Sequence, residues 1–466
     1  MLFSSIPFLF YFLPCVLIAY YLAPKSAKTK VLLLASLLFY GWGEPIYVFL
    51  MLGTILMVYL LGLGIEKYRD GIGEKLCFWA AVIVSLGLLA FFKYADFFLI
   101  NVNRFTGASF PLLKIALPIG ISFYTFQVLS YIIDVYRGKV AVQKSFVTLA
   151  TYITMFPQLI AGPIVRYADV ERQLIDRETH FSKIAYGIRR FILGLGKKVL
   201  IANILGEFCT HFRASEEKTL VFYWAYAIAV SLQIYFDFSG YSDMAIGLGS
   251  MLGFQFMENF NYPFISKSIT EFWRRWHMSL GTWFRDYVYI PLGGSRCSLP
   301  RNLFNVFVVW MLTGFWHGAE WNFIAWGLYF GILLIIEKLF LLKHIEKKRF
   351  VGHVYVLFVT LISFVIFDAE SLSLAFSHIM EMFDVGGTPF TSVETMYYLE
   401  SYGFILLMAI VGATPLPKVM VEKVKENTNI RRVVLVFEPI VMVVLLLVVT
   451  AYLVDGSFNP FLYFRF

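Results

Sequence analysis

Apolar runs of about 20 residues recur along this chain, separated by short segments that hold most of its charge. A run of that length crosses a hydrocarbon core of about 30 Å as a helix. Backbone polar groups in lipid must be satisfied within the segment, so the runs predict helices. A membrane β-barrel would instead show short alternating segments, and none appear. The expected spans lie near 6–23, 31–44, 46–65, 76–100, 112–136, 184–206, 220–238, 351–367, 399–414 and 433–454. A further pair near 303–316 and 321–340 reads as a hairpin. "YGWGEP" (40–45) and "MFPQLIAGPIV" (155–165) interrupt apolar runs with Gly and Pro, as re-entrant or discontinuous helices do. The expected fold is all-α and polytopic, with about 11–12 spanning or re-entrant helices. It forms one integral membrane domain over 1–466, with a core near 112–340.

Composition agrees. Of the 466 residues, 59% are hydrophobic, 19% aromatic and 15% charged, with a mean hydropathy of +0.72. Soluble domains carry about 25% charged residues. The N-terminal stretch lacks a basic leader and a clear cleavage site, and reads as a retained span. The net charge of +8 sits between spans, at Lys25–Lys30, Arg137–Lys144, Lys343–Arg349 and Lys418–Arg432. That distribution follows the positive-inside pattern, and no nucleic-acid partner is expected. Residues 368–398 carry five acidic groups and no Lys or Arg, which places that loop and both termini outside.

Candidate chemistry is sparse. Cys15 and Cys77 fall in or beside spans, Cys209 in an expected short loop and Cys297 in a Gly/Ser turn. Without a CxxC, neither a disulfide framework nor a zinc site is supported, and no metal is expected. There is no GxSxG elbow, no HExxH, and "GLGKKV" (194–199) lacks the remainder of a phosphate loop. "FDFSGYSDMAIGLG" (236–249) gathers Asp237, Ser239, Tyr241, Ser242 and Asp243. Its plainer reading is a hydrated helix end, and its alternative a polar cavity lining. Around 272–284, Phe272, Trp276, Leu280 and Phe284 share one helical face, which predicts an amphipathic helix on the cytoplasmic membrane surface. His277 lies on it. His317, in "LTGFWHGAEWNFIAWG" (312–327), is an ionisable group in an apolar run and therefore a functional candidate. A structural hydrogen bond to a backbone carbonyl explains it equally well at this point. Trp273, Trp316, Trp321 and Trp326 read as packing and interface residues, and the other five histidines as lying in loops, at loop edges or in polar surroundings. Glu320 has no assigned role.

Three segments carry a resemblance: "FDFSGYSDMAIGLGSMLGF", "NFNYPFISKSITEFWRRWHMSLGTWFRDYVYIPLGG" and "TGFWHGAEWNFIAWGLYFG". They resemble the membrane-bound O-acyltransferase family, and within it the branch of the bacterial alginate O-acetyltransferase membrane subunit. "MLFSSIPFLFYFLP", "LPIGISFYTFQVLSYIIDVYRG", "FPQLIAGPIVRY" and "NPFLYFRF" fit the same branch. The resemblance implies a ring of helices around a central tunnel, with His317 and His277 facing that tunnel as catalytic residues. Trp316, Asp237, Ser239 and Tyr241 are candidates for lining it. Arg274 and Arg275 are candidates for holding donor phosphates, although membrane anchoring explains them as well.

It also implies acetyl transfer from a cytoplasmic thioester, acetyl-CoA, without a bound cofactor. The acceptor would be an extracytoplasmic polysaccharide or peptidoglycan, reached through an SGNH-type partner acetyltransferase. The setting would be the bacterial inner membrane, with lipid as the other partner. Acceptor choice would depend on 207–219 and 368–398. The competing expectations are teichoic-acid D-alanyl transfer and, from another class, a transporter or channel. The latter predicts paired halves, and no internal repeat is apparent.

Overall fold

The computed structural model describes residues 1–345, 348–456 and 461. The closing "NPFLYFRF" apart from Phe461, and Lys347 of the basic groups, lie outside the described residues. Every regular element among the described residues is helical. Among the described residues, seven helices are long and apolar enough to cross a membrane: Tyr47–Lys67, Ile72–Thr106, Leu220–Met251, Trp321–Ile345, Arg349–Asp368, Val393–Gly412 and Ile430–Asp455. Phe8–Leu22 is a shorter apolar helix.

Several expected spans are resolved differently. The run 31–44 is the 16-residue helix Lys28–Gly43. The run 112–136 is helical only from Ile121 to Tyr136. The run 184–206 falls in continuous helix from Phe181 to Ala214, which carries Arg189, Arg190, Lys197 and Lys198. Cys209 lies buried in that helix and not in a loop. The longest helix, Ile72–Thr106, has 35 residues. At 1.5 Å per residue it is about 52 Å long, more than a bilayer core requires.

The chain divides into two compact units. The first comprises Met1–Phe191 with Ser242–Met257. In it, Tyr47–Lys67 packs on Ile72–Thr106 and Ile121–Tyr136. The "MFPQLIAGPIV" break meets the start of Ile121–Tyr136 at Gly120, whose φ is +78°. A Cβ there would stand 2.7 Å from the Leu159 carbonyl oxygen, so glycine is required on both counts. Arg177 donates from Nε to the Tyr20 hydroxyl at 2.7 Å, and that hydroxyl donates to the Leu252 carbonyl at 2.6 Å.

The second unit comprises Ile192–Tyr241 with Glu258–Phe466. Its core gathers Phe208, Phe212, Tyr226, Phe272, Trp276, Trp326, Phe330 and Phe364. The expected hairpin is present, as Leu299–His317 packed against Trp321–Ile336. The two helices approach closely because Gly314 faces Gly327: a Cβ on Gly314 would lie 3.1 Å from the Gly327 Cα. Apolar side chains gain nothing by leaving lipid for one another, so close backbone packing is what holds such helices together.

Candidate active site

The segment expected as one amphipathic surface helix is two short helices, Ile269–Arg275 and Met278–Phe284, with a break at Trp276–His277. Phe272, Trp276, Leu280 and Phe284 are all buried, and so is Ser279. That face therefore packs against protein, while Arg274 and Arg285 remain exposed. The first helix starts where Ser268 accepts from the Glu271 amide at 3.0 Å. The buried Glu337 carboxylate accepts from the Ile269 and Thr270 amides at 2.5 and 2.9 Å. A carboxylate at that end satisfies amides that have no partner within the helix and complements its dipole.

The break sets His277 in the left-handed region, with φ +43° and ψ +53°. A non-glycine residue held there costs about 1–3 kcal/mol, and such strain concentrates at functional sites. The segment 259–261 sustains it from both sides. The Asn261 amide donates to the Arg275 carbonyl at 2.9 Å, and the Met278 amide to the Asn259 carbonyl at 3.0 Å. The imidazole is 1% exposed. Nδ1 lies 3.2 Å from Asn259 Oδ1. Among the described residues, Nε2 has no hydrogen-bond partner. His277 lies outside the seven spanning helices, and burial lowers its pKa to about 3, against the opposing effect of its own backbone carbonyl.

His317 is the last residue of Leu299–His317 and is buried among aromatic rings. Its ring centroid lies 5.0 Å from those of Trp316 and Trp326 and 5.4 Å from that of Phe367. Trp316 is buried between the two histidines: its ring also approaches His277, at 6.1 Å. A Cβ on Gly318 would collide with the Phe323 ring, so the turn after His317 needs glycine. Beyond it, Asn322 Nδ2 donates to the Ala369 carbonyl at 2.9 Å and to the Phe367 carbonyl at 3.5 Å, holding the segment that presents Phe367 to His317.

The "FDFSGYSDM" segment is not a hydrated helix end. It lies inside Leu220–Met251, and Asp237, Ser239, Tyr241 and Ser242 are buried. Asp237 forms an ion pair with buried Lys198. Phe238 meets the His277 ring edge-on at 4.7 Å. Ser239 Oγ has no partner among the described residues. Tyr241 packs on Phe461 at 4.8 Å. In the first unit, Asp243 is paired with Arg190 at 2.8 Å. The helix thus reaches His277 through Phe238, while Asp237 turns to Lys198.

Neither arginine is placed at His277. Arg274 is exposed, and Arg275 pairs with Glu271 at 2.9 Å and donates to the Asn261 carbonyl. Glu320 is exposed. His378, expected in polar surroundings, is buried, with its ring 5.7 Å from Phe212. Asn259, Lys198 and Phe367 escaped sequence reasoning, whereas Trp326, expected as packing, is buried against His317. Only Lys198, a cation in an apolar stretch, carried a signal there.

These features define a multi-pass membrane protein in whose interior two histidines and a tryptophan pack against one another. Residues 139–377 match the model of the membrane-bound O-acyltransferase family. A probable alginate O-acetylase of Azotobacter vinelandii is 43% identical over 395 residues, covering 83% of this chain and 79% of that protein. One from Pseudomonas putida is 39% identical over the whole of both chains. A peptidoglycan O-acetyltransferase of Helicobacter pylori is 35% identical, covering 75% of this chain and 72% of that protein. The chain belongs to the membrane-bound O-acyltransferase family, and it is an O-acyltransferase.

Proposed function

We propose that this protein moves acetyl from acetyl-CoA on the cytoplasmic side of a bacterial inner membrane to the outside. There a partner acetyltransferase of the SGNH type passes it to hydroxyls of a polysaccharide or of peptidoglycan. The names of the relatives, an alginate O-acetylase and a peptidoglycan O-acetyltransferase, support acetyl as the group and a glycan as the acceptor. The observation that carries the reading is the buried arrangement of His277 and His317 on Trp316.

In the transfer, a hydroxyl oxygen attacks the thioester carbonyl, the C–S bond breaks, and the thiolate leaves. The hydroxyl proton must be taken up and finally delivered to the sulfur. A neutral imidazole does this, and general-base action contributes roughly 10²–10⁴-fold. His317 is the base in this proposal, and His277 is its partner at the same transfer. Trp316 and Phe238 exclude water around the imidazoles, which keeps the thioester from hydrolysis. Asp237, Ser239 and Tyr241 bring polar groups to the wall behind Phe238.

The test is transfer from labelled acetyl-CoA by the full chain in proteoliposomes. His317→Ala should insert and fold as wild type yet lose transfer by about 10²-fold or more. Wild-type transfer by that variant overturns the assignment.

A further inference from the structure

The orientation of Asn259 is determined by a group whose proton is never in doubt. The Ser279 backbone N–H donates to Asn259 Oδ1 at 3.3 Å, and the Ser279 hydroxyl donates to the same oxygen at 2.9 Å. The amide oxygen, not its nitrogen, therefore faces this corner. That oxygen is an acceptor only. His277 Nδ1 lies 3.2 Å from it, and two lone pairs at that distance would repel. Nδ1 therefore carries the proton. In a neutral imidazole the other nitrogen is then bare. That nitrogen is Nε2, which is buried and has no partner among the described residues. The left-handed backbone at His277 and the Asn259–Met278 hydrogen bond tie the ring and the amide to one another.

We infer that Asn259 is a positioning residue that holds His277 as the Nδ1–H tautomer, so that Nε2 presents a lone pair to the reacting groups. The consequence rests on the functional reading above. A bare Nε2 cannot donate to the thioester carbonyl, so His277 does not serve as an oxyanion donor in the resting state. It accepts a proton instead. His317 takes the proton released by the attacking hydroxyl, His277 receives it in relay and passes it to the departing thiolate, and both nitrogens of His277 end as they began.

The experiment uses full-length protein in detergent micelles, labelled with ¹⁵N-histidine. Signals that vanish in His277→Ala belong to His277. Wild type should show a protonated Nδ1 and a bare Nε2 without any turnover. Asn259→Leu should lose that preference, and its kcat should fall by about 10²-fold with KM little changed. Asn259→Asp places a carboxylate on Nδ1–H and should raise the pH at which the ring protonates, moving the acid limb of the transfer profile with it. A wild-type ring protonated on Nε2 overturns the inference, and so does a tautomer unchanged in both Asn259 variants. The wild-type spectrum depends on no variant folding. Full transfer by His277→Ala would sink the catalytic role while leaving the tautomer assignment standing, so the two failures are distinguishable.

Discussion

Lys198 and Asp237 form an ion pair whose side chains are 4% and 2% exposed, in the interior of the second unit. Lys198 stands on a π-helical turn, Lys197–Ala202, and Asp237 inside Leu220–Met251. One residue beyond Asp237, Phe238 touches His277. Desolvating two charges offsets much of their attraction, whereas removing one partner leaves a buried charge uncompensated. Asp237→Leu should therefore destabilise the protein by about 3–5 kcal/mol. The double variant Lys198→Met, Asp237→Leu should recover most of that loss. Thermal unfolding in detergent measures both, and a double variant no more stable than the single one would count against a stability role confined to the pair.

Helix proximity gives a second expectation. A Cβ on Gly240 would lie 2.7 Å from the Gly194 carbonyl oxygen and 3.2 Å from the Lys198 amide nitrogen. Gly240→Ala must push these backbones apart, at a cost of about 1–3 kcal/mol for overpacking, and it should loosen the Lys198–Asp237 pair. Gly87→Ala meets nothing within 4 Å and serves as the harmless control. Equal melting temperatures for the two variants would contradict the close approach.

Stability should fall in acid on account of His277. Its folded pKa, about 3, lies below the ordinary 6.5. Between those values an unfolded chain binds a proton that the folded protein does not. Stability present above pH 6.5 is therefore lost as pH falls towards 3, by up to about 1.4 kcal/mol per pH unit. Unfolding midpoints across that window should fall more steeply in wild type than in His277→Gln. Identical slopes would show that His277 is not buried as a neutral ring.

Asn322 supplies a fourth expectation. Its amide nitrogen holds the Phe367 and Ala369 carbonyls, and Phe367 packs on His317. Asn322→Ala leaves a buried carbonyl unsatisfied, costing about 1–3 kcal/mol, and frees Phe367 to shift. Transfer by the folded variant should show a lower kcat with KM little changed. Unaltered kinetics would mean that the aromatic wall around His317 does not depend on this clamp.

The sequence by itself determined the membrane class, the all-helical fold, the hairpin around His317 and the family. Each follows from local composition and motif: long apolar runs leave the backbone no option but helix, and "WRRWHMSL" and "GFWHGAEW" are contiguous strings in the chain. Contacts between distant positions were decided by tertiary structure alone. Periodicity placed Phe272, Trp276, Leu280 and Phe284 on one face of a surface helix, because a sequence window cannot show that the chain turns at His277 through a left-handed residue. The segment at 236–249 read as a helix end because its Ser and Asp residues resemble caps. Lys198, 39 residues earlier, is what lets Asp237 stay buried inside the helix. Asn259 carried no signal at all. Its role arises only when the fold sets one amide oxygen between a serine N–H and an imidazole 18 residues along the chain.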